Sequence, residues 1–238
     1  MNRKRILIVE DEMHIAEGIM INLEAEGFKC LHSRDGRTAL DLYHSEKFDL
    51  IILDIMLPDI DGFEICRRIR RQSGAVPIMF LTARDSLEDT KEGLAIGGDD
   101  YITKPFDLEE LLLRIKAIFR RQAWLAAEEQ EESIYKFDGG TIDFKKFYVE
   151  TKNGGYHLTN KECLLLKYFV QNPDKVLSRN MILDAVWGYD AYPSTRTIDN
   201  FILRFRKYFE PNPVNPVYFH TEFGTGYKFT PEGDKAGD

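Results

Sequence analysis

Two short apolar runs in the first half of the chain end abruptly in carboxylates. Residues 6–9 lead directly into Glu10 and Asp11, and residues 50–53 lead into Asp54. If the two runs are neighbouring parallel strands, the three carboxylates converge, and two unit charges about 4 Å apart repel by roughly 4 kcal/mol at an effective dielectric near 20. Such a cluster must bind a cation, take up protons or turn outward into water. Carboxylate oxygens suit Mg²⁺, which keeps several waters and readily adds a phosphate oxygen.

A hydroxyl and an amine follow two further apolar runs. Residues 76–81 end at Thr82, and a short run at 101–103 ends at Lys104. Taken singly, a polar strand end is most simply a group that faces solvent. The ordered set is far more specific, because phosphoryl transfer to a protein needs a carboxylate nucleophile, a metal and a cation that neutralises the transferred group.

The elements that would carry these groups alternate between strand and helix. Apolar runs and turn residues predict strands at 5–9, 29–33, 49–54, 76–82 and 101–103 and helices at 13–26, 36–46, 62–72, 87–96 and 108–120. Five strands separated by helical crossovers predict a parallel sheet that is covered on both faces. In such a sheet the chemistry lies at the carboxyl ends of the strands.

Residues 1–121 resemble the receiver domain of bacterial response regulators, a flavodoxin-like, doubly wound α/β fold. The resemblance implies that Asp54 accepts a phosphoryl group, that Thr82 and Tyr101 are switch residues and that Lys104 pairs with the phosphate. It also implies a Mg²⁺ site formed by Glu10, Asp11, Asp54 and the backbone carbonyl of Met56. Glu10 stands where the family more often has aspartate, and we expect metal binding to survive the longer side chain.

Charge separates the two halves of the chain. The formal net charge is −8 over 238 residues, yet residues 1–121 carry 18 Lys+Arg against 23 Asp+Glu, whereas residues 133–238 carry 14 against 13. A glutamate-rich stretch lies between them, and we interpret residues 122–133 as an acidic linker, either solvated or a helical continuation, rather than a functional element. The chain has no apolar stretch of roughly 18 residues and no CxxC pair among its three cysteines, which favours a cytoplasmic protein that does not contact a membrane.

The second half predicts a small antiparallel sheet, three helices and a closing hairpin. Four short alternating segments occupy 134–158, and Thr159 and Glu162 form a capping box that opens the first helix. The third helix, from about 195 to 209, has one apolar face and one basic face with an amide at its centre. Such a face can lie in a DNA major groove, although a basic helix face taken singly is most often only solvated surface.

This half resembles the α+β winged-helix effector domain of the OmpR/PhoB family from 134 to 231, with a tail at 232–238. The segments VLSRNMILDAVWG and RTIDNFILRFRKYFE carry the resemblance. The DNA-binding residues that it implies are Arg196, Thr197, Asn200, Leu203, Arg204 and Lys207. Where the family commonly has an arginine near the wing turn, the chain has Glu222-Phe223-Gly224, and Phe201 stands where histidine is common. We therefore expect DNA binding that is weaker or differently specified.

Together the resemblances imply a two-component response regulator rather than an enzyme. A sensor histidine kinase would phosphorylate Asp54 in a Mg²⁺-dependent reaction, and the receiver would then form a homodimer that binds tandem half-sites in promoter DNA. RNA polymerase is a further candidate partner. The implied dimer face consists of Asp99, Asp100, Glu110, Arg114 and Arg121, with Thr90 at the position of the family's cation on the preceding helix.

The sequence also bears on two functions of other classes. An aspartyl phosphatase ordinarily carries a second acid two positions after its nucleophile, where this chain has Met56, and the chain has neither a P-loop nor a GxGxxG segment for nucleotides. A protein-interaction output controlled by the receiver, with weakened DNA binding, stays open as the alternative. Glu222 and the negative net charge motivate it, and salt-dependent retention on DNA would distinguish the two.

Overall fold

The computed structural model describes residues 3–82, 96–127, 133–187 and 195–233 of the chain. The chain divides into two compact units, Met1–Arg121 and Gln122–Asp238, and each has its own hydrophobic core. None of the helices within the described ranges combines the length and the apolar character that a membrane crossing requires.

Five parallel strands form the centre of the first unit, in the order β2-β1-β3-β4-β5. The strands are β1 Arg5–Val9, β2 Lys29–Ser33, β3 Leu50–Asp54, β4 Ile78–Thr82 and β5 Asp100–Thr103, and the helices are α1 Met13–Ala25, α2 Gly36–Ser45, α3 Gly62–Gln72 and α4 Leu108–Ala127. The predicted five-stranded, doubly wound parallel sheet is therefore confirmed. The predicted helix at 87–96 falls almost entirely outside the described residues.

Strand β3 is buried on both faces, which explains why its sequence lacks polar alternation. Ile51 and Leu53 pack in the core that includes Phe63 of α3, whereas Leu50 and Ile52 pack in the opposite core. The opposite core is closed by α1 and α4, so helices cover the two faces of the sheet as a doubly wound fold requires.

Helix α4 is longer than the sequence analysis predicts. It was expected to end near residue 120, at the start of the acidic linker, but it continues to Ala127. The stretch from 121 to 127 contains no glycine or proline and is rich in good helix formers, so nothing in it stops the helix. The first part of the predicted linker is consequently helical.

The second unit contains two antiparallel sheets and three described helices. The first sheet is formed by β6 Ile134–Phe137, β7 Gly140–Asp143, β8 Tyr148–Thr151 and β9 Gly154–His157, and the second by β10 Val176–Ser178, β11 Phe219–Glu222 and β12 Gly226–Phe229. The helices are α5 Asn160–Val170, α6 Arg179–Val186 and α7 Thr195–Phe209. This winged-helix arrangement is the predicted one, except for β10, which the sequence analysis missed because it has only three residues and owes its pairing to the distant β12.

Helix α7 packs its predicted apolar face into the core of this unit. Ile198, Phe201, Ile202, Phe205 and Phe209 are all buried. They lie in one cluster with aromatic residues of β11 and β12, including Phe219 and Phe229, whose ring centroids are 5.0 Å apart. The wing strands and α7 therefore share a single aromatic core, and the opposite face of α7 is left to solvent.

Candidate functional site

The sheet register brings the polar strand ends of the first unit to one edge. Strand β1 pairs with β3 up to Val9 and Leu53, and β4 pairs with β5 up to Thr82 and Thr103. The residues that follow the strands on this edge include Glu10 and Lys104, and Asp54 is the last residue of β3. The predicted convergence of these side chains is therefore what the structure contains.

Lys104 is the centre of the cluster. Its ammonium nitrogen Nζ lies 2.6 Å from Oδ2 of Asp54 and 2.8 Å from the Glu10 carboxylate, and it lies 3.4 Å from Oε1 of the more exposed Glu12. Only about a tenth of the Lys104 side chain is exposed, and the Glu10 side chain is fully buried. One cation thus compensates two buried carboxylates and one partly exposed carboxylate.

The carboxylates of this cluster outnumber the ammonium group of Lys104. Burial raises the pKa of Glu10 to about 7; its hydrogen bond to Lys104 opposes the shift, and the charge of Asp54 adds to it. Burial by itself would lower the pKa of Lys104, but the hydrogen bonds that Lys104 donates to Asp54 and Glu10, together with the charges of these two carboxylates, raise it. A further positive charge at this place would relieve the repulsion between the carboxylates.

The donor set fits a hard divalent cation. Glu10, Asp11 and Asp54 each offer a carboxylate oxygen, and these atoms lie within 4.8 Å of one another. Both oxygens of the Glu10 carboxylate lie 2.8 Å from the Lys104 ammonium, so a bound cation would share this carboxylate with Lys104. Carboxylate oxygens with one partly exposed member suit Mg²⁺, which retains several waters.

The loop after β3 holds Asp54 in a fixed orientation. Oδ1 of Asp54 accepts a hydrogen bond from the amide of Met56 at 2.8 Å, which leaves Oδ2 on the side of Lys104. The loop closes tightly because Gly62 lies against the backbone of β3, where an added Cβ would come within 2.2 Å of the Asp54 carbonyl oxygen. The hydrogen bond of Met56 that the structure describes is made by its amide. The binding of a metal by the Met56 carbonyl stays a prediction.

The two predicted switch residues lie on adjacent strands beside this pocket. Thr82 is fully buried at the end of β4. Tyr101 of β5 is half-buried, and its ring packs at 6.1 Å from that of Phe80 in the core on the α2 and α3 side of the sheet. The Lys104-Pro105 peptide bond that follows β5 is cis.

The residues predicted to form a dimer face are already bonded within the chain. Arg114 of α4 donates to Asp100 at 3.0 Å and to Glu110 at 2.8 Å. Arg121 donates to the carbonyl of Ala117 at 3.0 Å. Pairs between two copies of the chain would therefore have to exchange with these internal bonds, and Thr90 lies outside the described residues.

Asp99 differs from the other residues of that predicted face because its carboxylate is buried. It accepts hydrogen bonds from Arg70 of α3 and from the amide of Ile78, each at 2.9 Å. Arg70 also donates to the carbonyls of Val76 and Gly97. This bridge joins α3 to the segments on either side of β4, and no motif in the sequence signals it because its members are far apart in the chain.

The solvent-facing side of α7 carries part of the predicted DNA-binding set. Asn200 and Lys207 are exposed, and Leu203 is 53% exposed. Arg204 is instead held against the protein: its guanidinium donates to Oε1 of Glu162 at 3.0 Å and lies 4.6 Å from the ring centroid of Phe201. The side chains of Arg196 and Thr197 lie outside the described residues.

Glu162 has a larger structural function than the predicted capping box. The capping box is present. The Thr159 hydroxyl oxygen accepts a hydrogen bond from the Glu162 amide, and Oε2 of Glu162 accepts one from the Thr159 amide at 2.8 Å. Oε1 of the same carboxylate accepts from Arg204 and from the Tyr208 hydroxyl of α7. A single buried carboxylate thus joins the start of α5 to α7.

A second buried carboxylate anchors the end of α7. Glu210 is fully buried and accepts from the amides of Val217, Tyr218 and Phe219 at 2.7 to 3.0 Å. The side-chain amide of Asn153 donates to three carbonyls at the carboxyl end of the same helix, including that of Glu210 at 3.0 Å. The sequence analysis missed both groups; an acid directly after an amphipathic helix was the only available signal.

The comparisons with known proteins match both halves of the chain. A family model described as a response regulator receiver domain matches residues 6–116, and one described as the C-terminal part of transcriptional regulatory proteins matches residues 153–229. The alkaline phosphatase synthesis transcriptional regulatory protein PhoP of Bacillus subtilis is 40% identical over 231 residues, covering 94% of this chain and 96% of PhoP.

Solved structures agree with this assignment. The Thermotoga maritima response regulator DrrB, described as an OmpR/PhoB homolog, is 32% identical to this chain with a TM-score of 0.52. The match covers 96% of this chain and 100% of the DrrB chain. A cysteine-to-serine mutant of RitR is 29% identical with a TM-score of 0.80, covering 97% of this chain and 100% of its own. The chain therefore belongs to the OmpR/PhoB family of two-component response regulators, with a receiver domain followed by a DNA-binding domain.

Proposed function

We propose that a sensor histidine kinase phosphorylates Asp54 in a Mg²⁺-dependent reaction and that this modification promotes dimerisation and sequence-specific DNA binding. The observation that carries the proposal is the placement of Asp54 at a strand end, 2.6 Å from the ammonium group of Lys104 and beside two further carboxylates. Residues 1–121 would act as the phosphoacceptor unit, 122–133 as the linker and 134–231 as the DNA-binding unit.

The chain's own residues account for the chemistry at Asp54. A carboxylate oxygen of Asp54 attacks phosphorus, a P–O bond forms to it and the bond from phosphorus to the donor's nitrogen or oxygen breaks, with the electron pair leaving on the donor. The ammonium group of Lys104 already lies next to Oδ2 of Asp54, so it can pair with the negative charge of the phosphoryl oxygens after the transfer. The amide of Met56 fixes the carboxylate through Oδ1.

Glu10, Asp11 and Asp54 are the residues that would hold Mg²⁺, together with the Met56 carbonyl. When bound, the ion neutralises charge on the transferred phosphoryl group. Glu10 in place of an aspartate keeps the carboxylate within reach of the other two, as the 4.8 Å spread of the three donor atoms indicates. The three carboxylates and the Met56 carbonyl would thus supply the oxygen ligands that the protein gives to the ion.

The modification would act through the two residues next to the pocket. The acyl phosphate carries up to two negative charges where the carboxylate carried one, and it brings strong acceptor oxygens that the buried hydroxyl of Thr82 can approach. Movement of Thr82 would open space for Tyr101 to turn further inward, which would reshape the surface formed by β5 and α4. Arg114 could then exchange its bonds to Asp100 and Glu110 for the same groups of a second copy.

Mass spectrometry of protein treated with acetyl phosphate tests the proposed acceptor. With Mg²⁺ present, we expect the parent chain to gain one phosphoryl group and Asp54→Asn to gain none. Asp59→Asn serves as the matched control, because Asp59 lies on the same loop but bonds to the amides of Gly36 and Arg37 instead of the pocket. Equal labelling of Asp54→Asn and the parent, or labelling that is unchanged by a metal chelator, would refute the proposal.

A protein-interaction output is the second candidate function, favoured by the bonding of Arg204 to Glu162 and by the acid in the wing turn. Both features reduce the number of cations that are ready to meet phosphate. Retention on immobilised double-stranded DNA distinguishes the two functions. A chain that binds DNA is retained, and the salt concentration that elutes it falls when Lys207 is replaced by alanine. A chain that acts only through protein partners elutes with the void volume at physiological salt.

A further inference from the structure

An exposed aromatic ring stands at the tip of the wing. The side chain of Phe223 is 94% exposed, and the next most exposed large hydrophobic residue among the described residues, Val214, is 83% exposed. A ring in this position adds nothing to the folded core. Because isolated apolar residues are common on protein surfaces, its meaning depends on where it is held.

The turn that carries Phe223 is well formed. Strands β11 and β12 pair up to Glu222 and Gly226, and the Thr225 amide donates to the Glu222 carbonyl at 3.0 Å. Gly224 has a φ of +75°, a conformation that glycine adopts without strain, and no atom lies within 4 Å of the place of a Cβ. The ring is therefore presented by a closed hairpin.

The hairpin is bonded to the reading helix. Arg206 of α7 donates to the Phe219 carbonyl at 2.7 and 2.9 Å and to the Thr221 hydroxyl at 2.8 Å. The hydroxyl of Tyr227 in β12 donates to the carboxylate of Asp199 in α7. These bonds and the shared aromatic core keep the wing tip at a fixed position relative to the exposed side of α7.

The charges beside the tip are compatible with a polyanion. The carboxylate of Glu222 lies 3.6 Å from the ammonium of Lys228, which offsets its repulsion of phosphates. Further along the hairpin, Arg179 lies over the ring of Tyr227 at 5.0 Å and pairs with Asp199 at 3.6 Å. The acid that precedes Phe223 in the turn is thus compensated by a cation of the neighbouring strand.

We propose that Phe223 is an apolar wedge that enters the DNA minor groove next to a half-site and partly unstacks one base step. The proposal rests on the DNA-binding function proposed above. With α7 in the major groove, a hairpin fixed to its flank is carried to the adjoining backbone and minor groove, where phenylalanine side chains can separate base steps. Pyrimidine–purine steps unstack most easily, so the ring gives a sequence preference without any hydrogen bond to a base.

Parallel selections from one pool of random duplexes test the wedge. Full-length parent, Phe223→Ala, Phe223→Leu and Val214→Ala are each activated with beryllofluoride before selection. We expect the parent, Phe223→Leu and Val214→Ala to enrich a half-site together with a pyrimidine–purine step at a constant distance from it. We expect Phe223→Ala to enrich the same half-site without that step and to bind the duplex selected by the parent about tenfold more weakly.

The outcomes separate the wedge from DNA binding itself. Enrichment of the same step by Phe223→Ala and by the parent would overturn the wedge while DNA binding stands. A failure of all four proteins to enrich any sequence would overturn both. Energy transfer between dyes at the ends of the selected duplex gives a second readout, because a wedge bends DNA and the parent should shorten the distance between the ends more than Phe223→Ala does.

Discussion

At the scale of single residues, the receiver pocket depends on one ammonium group. Lys104 is almost fully buried and bonds to both Asp54 and Glu10, so it neutralises carboxylates that water can reach only in part. A buried charge that loses its partner is costly, whereas an exposed ion pair contributes little. The contribution of Lys104 to stability should therefore exceed that of any exposed lysine on the same unit.

Replacing Lys104 by methionine should lower the free energy of unfolding of the metal-free protein by about 3 kcal/mol at neutral pH, because Asp54 then loses its cation and the buried Glu10 must take up a proton. Lys116→Met is the matched control: Lys116 pairs with Glu26 at 2.7 Å, but about half of its side chain is exposed, so a loss of less than about 1 kcal/mol is expected. Urea denaturation followed by circular dichroism measures both.

Millimolar Mg²⁺ should restore more stability to Lys104→Met than it adds to the parent, because a bound cation takes over the missing charge and binding to the folded state raises its stability. Similar losses in the two variants, or no response of Lys104→Met to Mg²⁺, would contradict the electrostatic account of the pocket.

At the scale of elements, helix α7 combines two functions on opposite sides. Its buried side completes the aromatic core, and its exposed side carries Asn200, Leu203 and Lys207. Arg204 lies between the two sides and bonds to Glu162 at the start of α5. Two cations of one predicted reading surface thus have different environments, and their removal should have different consequences.

Lys207→Ala should weaken DNA binding and reduce the dependence of log affinity on log salt by about 1, as expected when one phosphate contact is lost. Its stability should stay within about 0.5 kcal/mol of the parent, because the side chain is exposed. Arg204→Ala should destabilise the second unit by about 2 kcal/mol, since it leaves the buried Glu162 with one partner fewer. Fluorescence anisotropy and thermal unfolding of the two variants provide the comparison, and identical behaviour of both would count against this division.

Local sequence patterns predicted most of the described elements, β10 excepted, but not the bonds between them. The apolar runs predicted all five strands of the receiver, and the helical period identified the buried residues of α7, since both depend on spacing along the chain. The bond between Asp99 and Arg70 and the bond between Arg204 and Glu162 join residues that only the folded chain brings together. The end of α4 differs from the prediction for another reason: residues 121–127 contain no helix breaker and favour helix, so the helix continues past residue 120 to Ala127.

At the scale of the whole molecule, the proposed switch requires contacts between two copies of the chain. Arg114, Asp100 and Glu110 form a network on α4 and β5 within the chain, and the proposed dimer would exchange these bonds for the same bonds between two chains. Ion pairs between two chains are screened by salt, so the dimer should depend on protein concentration and on ionic strength.

Sedimentation velocity tests the dimer. The parent at tens of micromolar should sediment as a monomer when untreated and as a dimer after beryllofluoride treatment with Mg²⁺. Arg114→Glu should stay monomeric because it places like charges opposite Asp100 and Glu110, whereas Lys116→Glu, which alters the pair with Glu26, should still dimerise. A treated parent that sediments as a monomer would remove dimerisation from the account.

The most direct test of the central claim is the affinity of the full chain for a duplex that was selected with the activated protein, measured with and without beryllofluoride in the presence of Mg²⁺. The account predicts that treatment tightens binding of the parent by about tenfold or more, the range of typical coupling energies, and leaves the affinity of Asp54→Ala unchanged. An equal gain in the two proteins, or a parent whose affinity does not respond to treatment, would show that Asp54 does not control the reading of DNA.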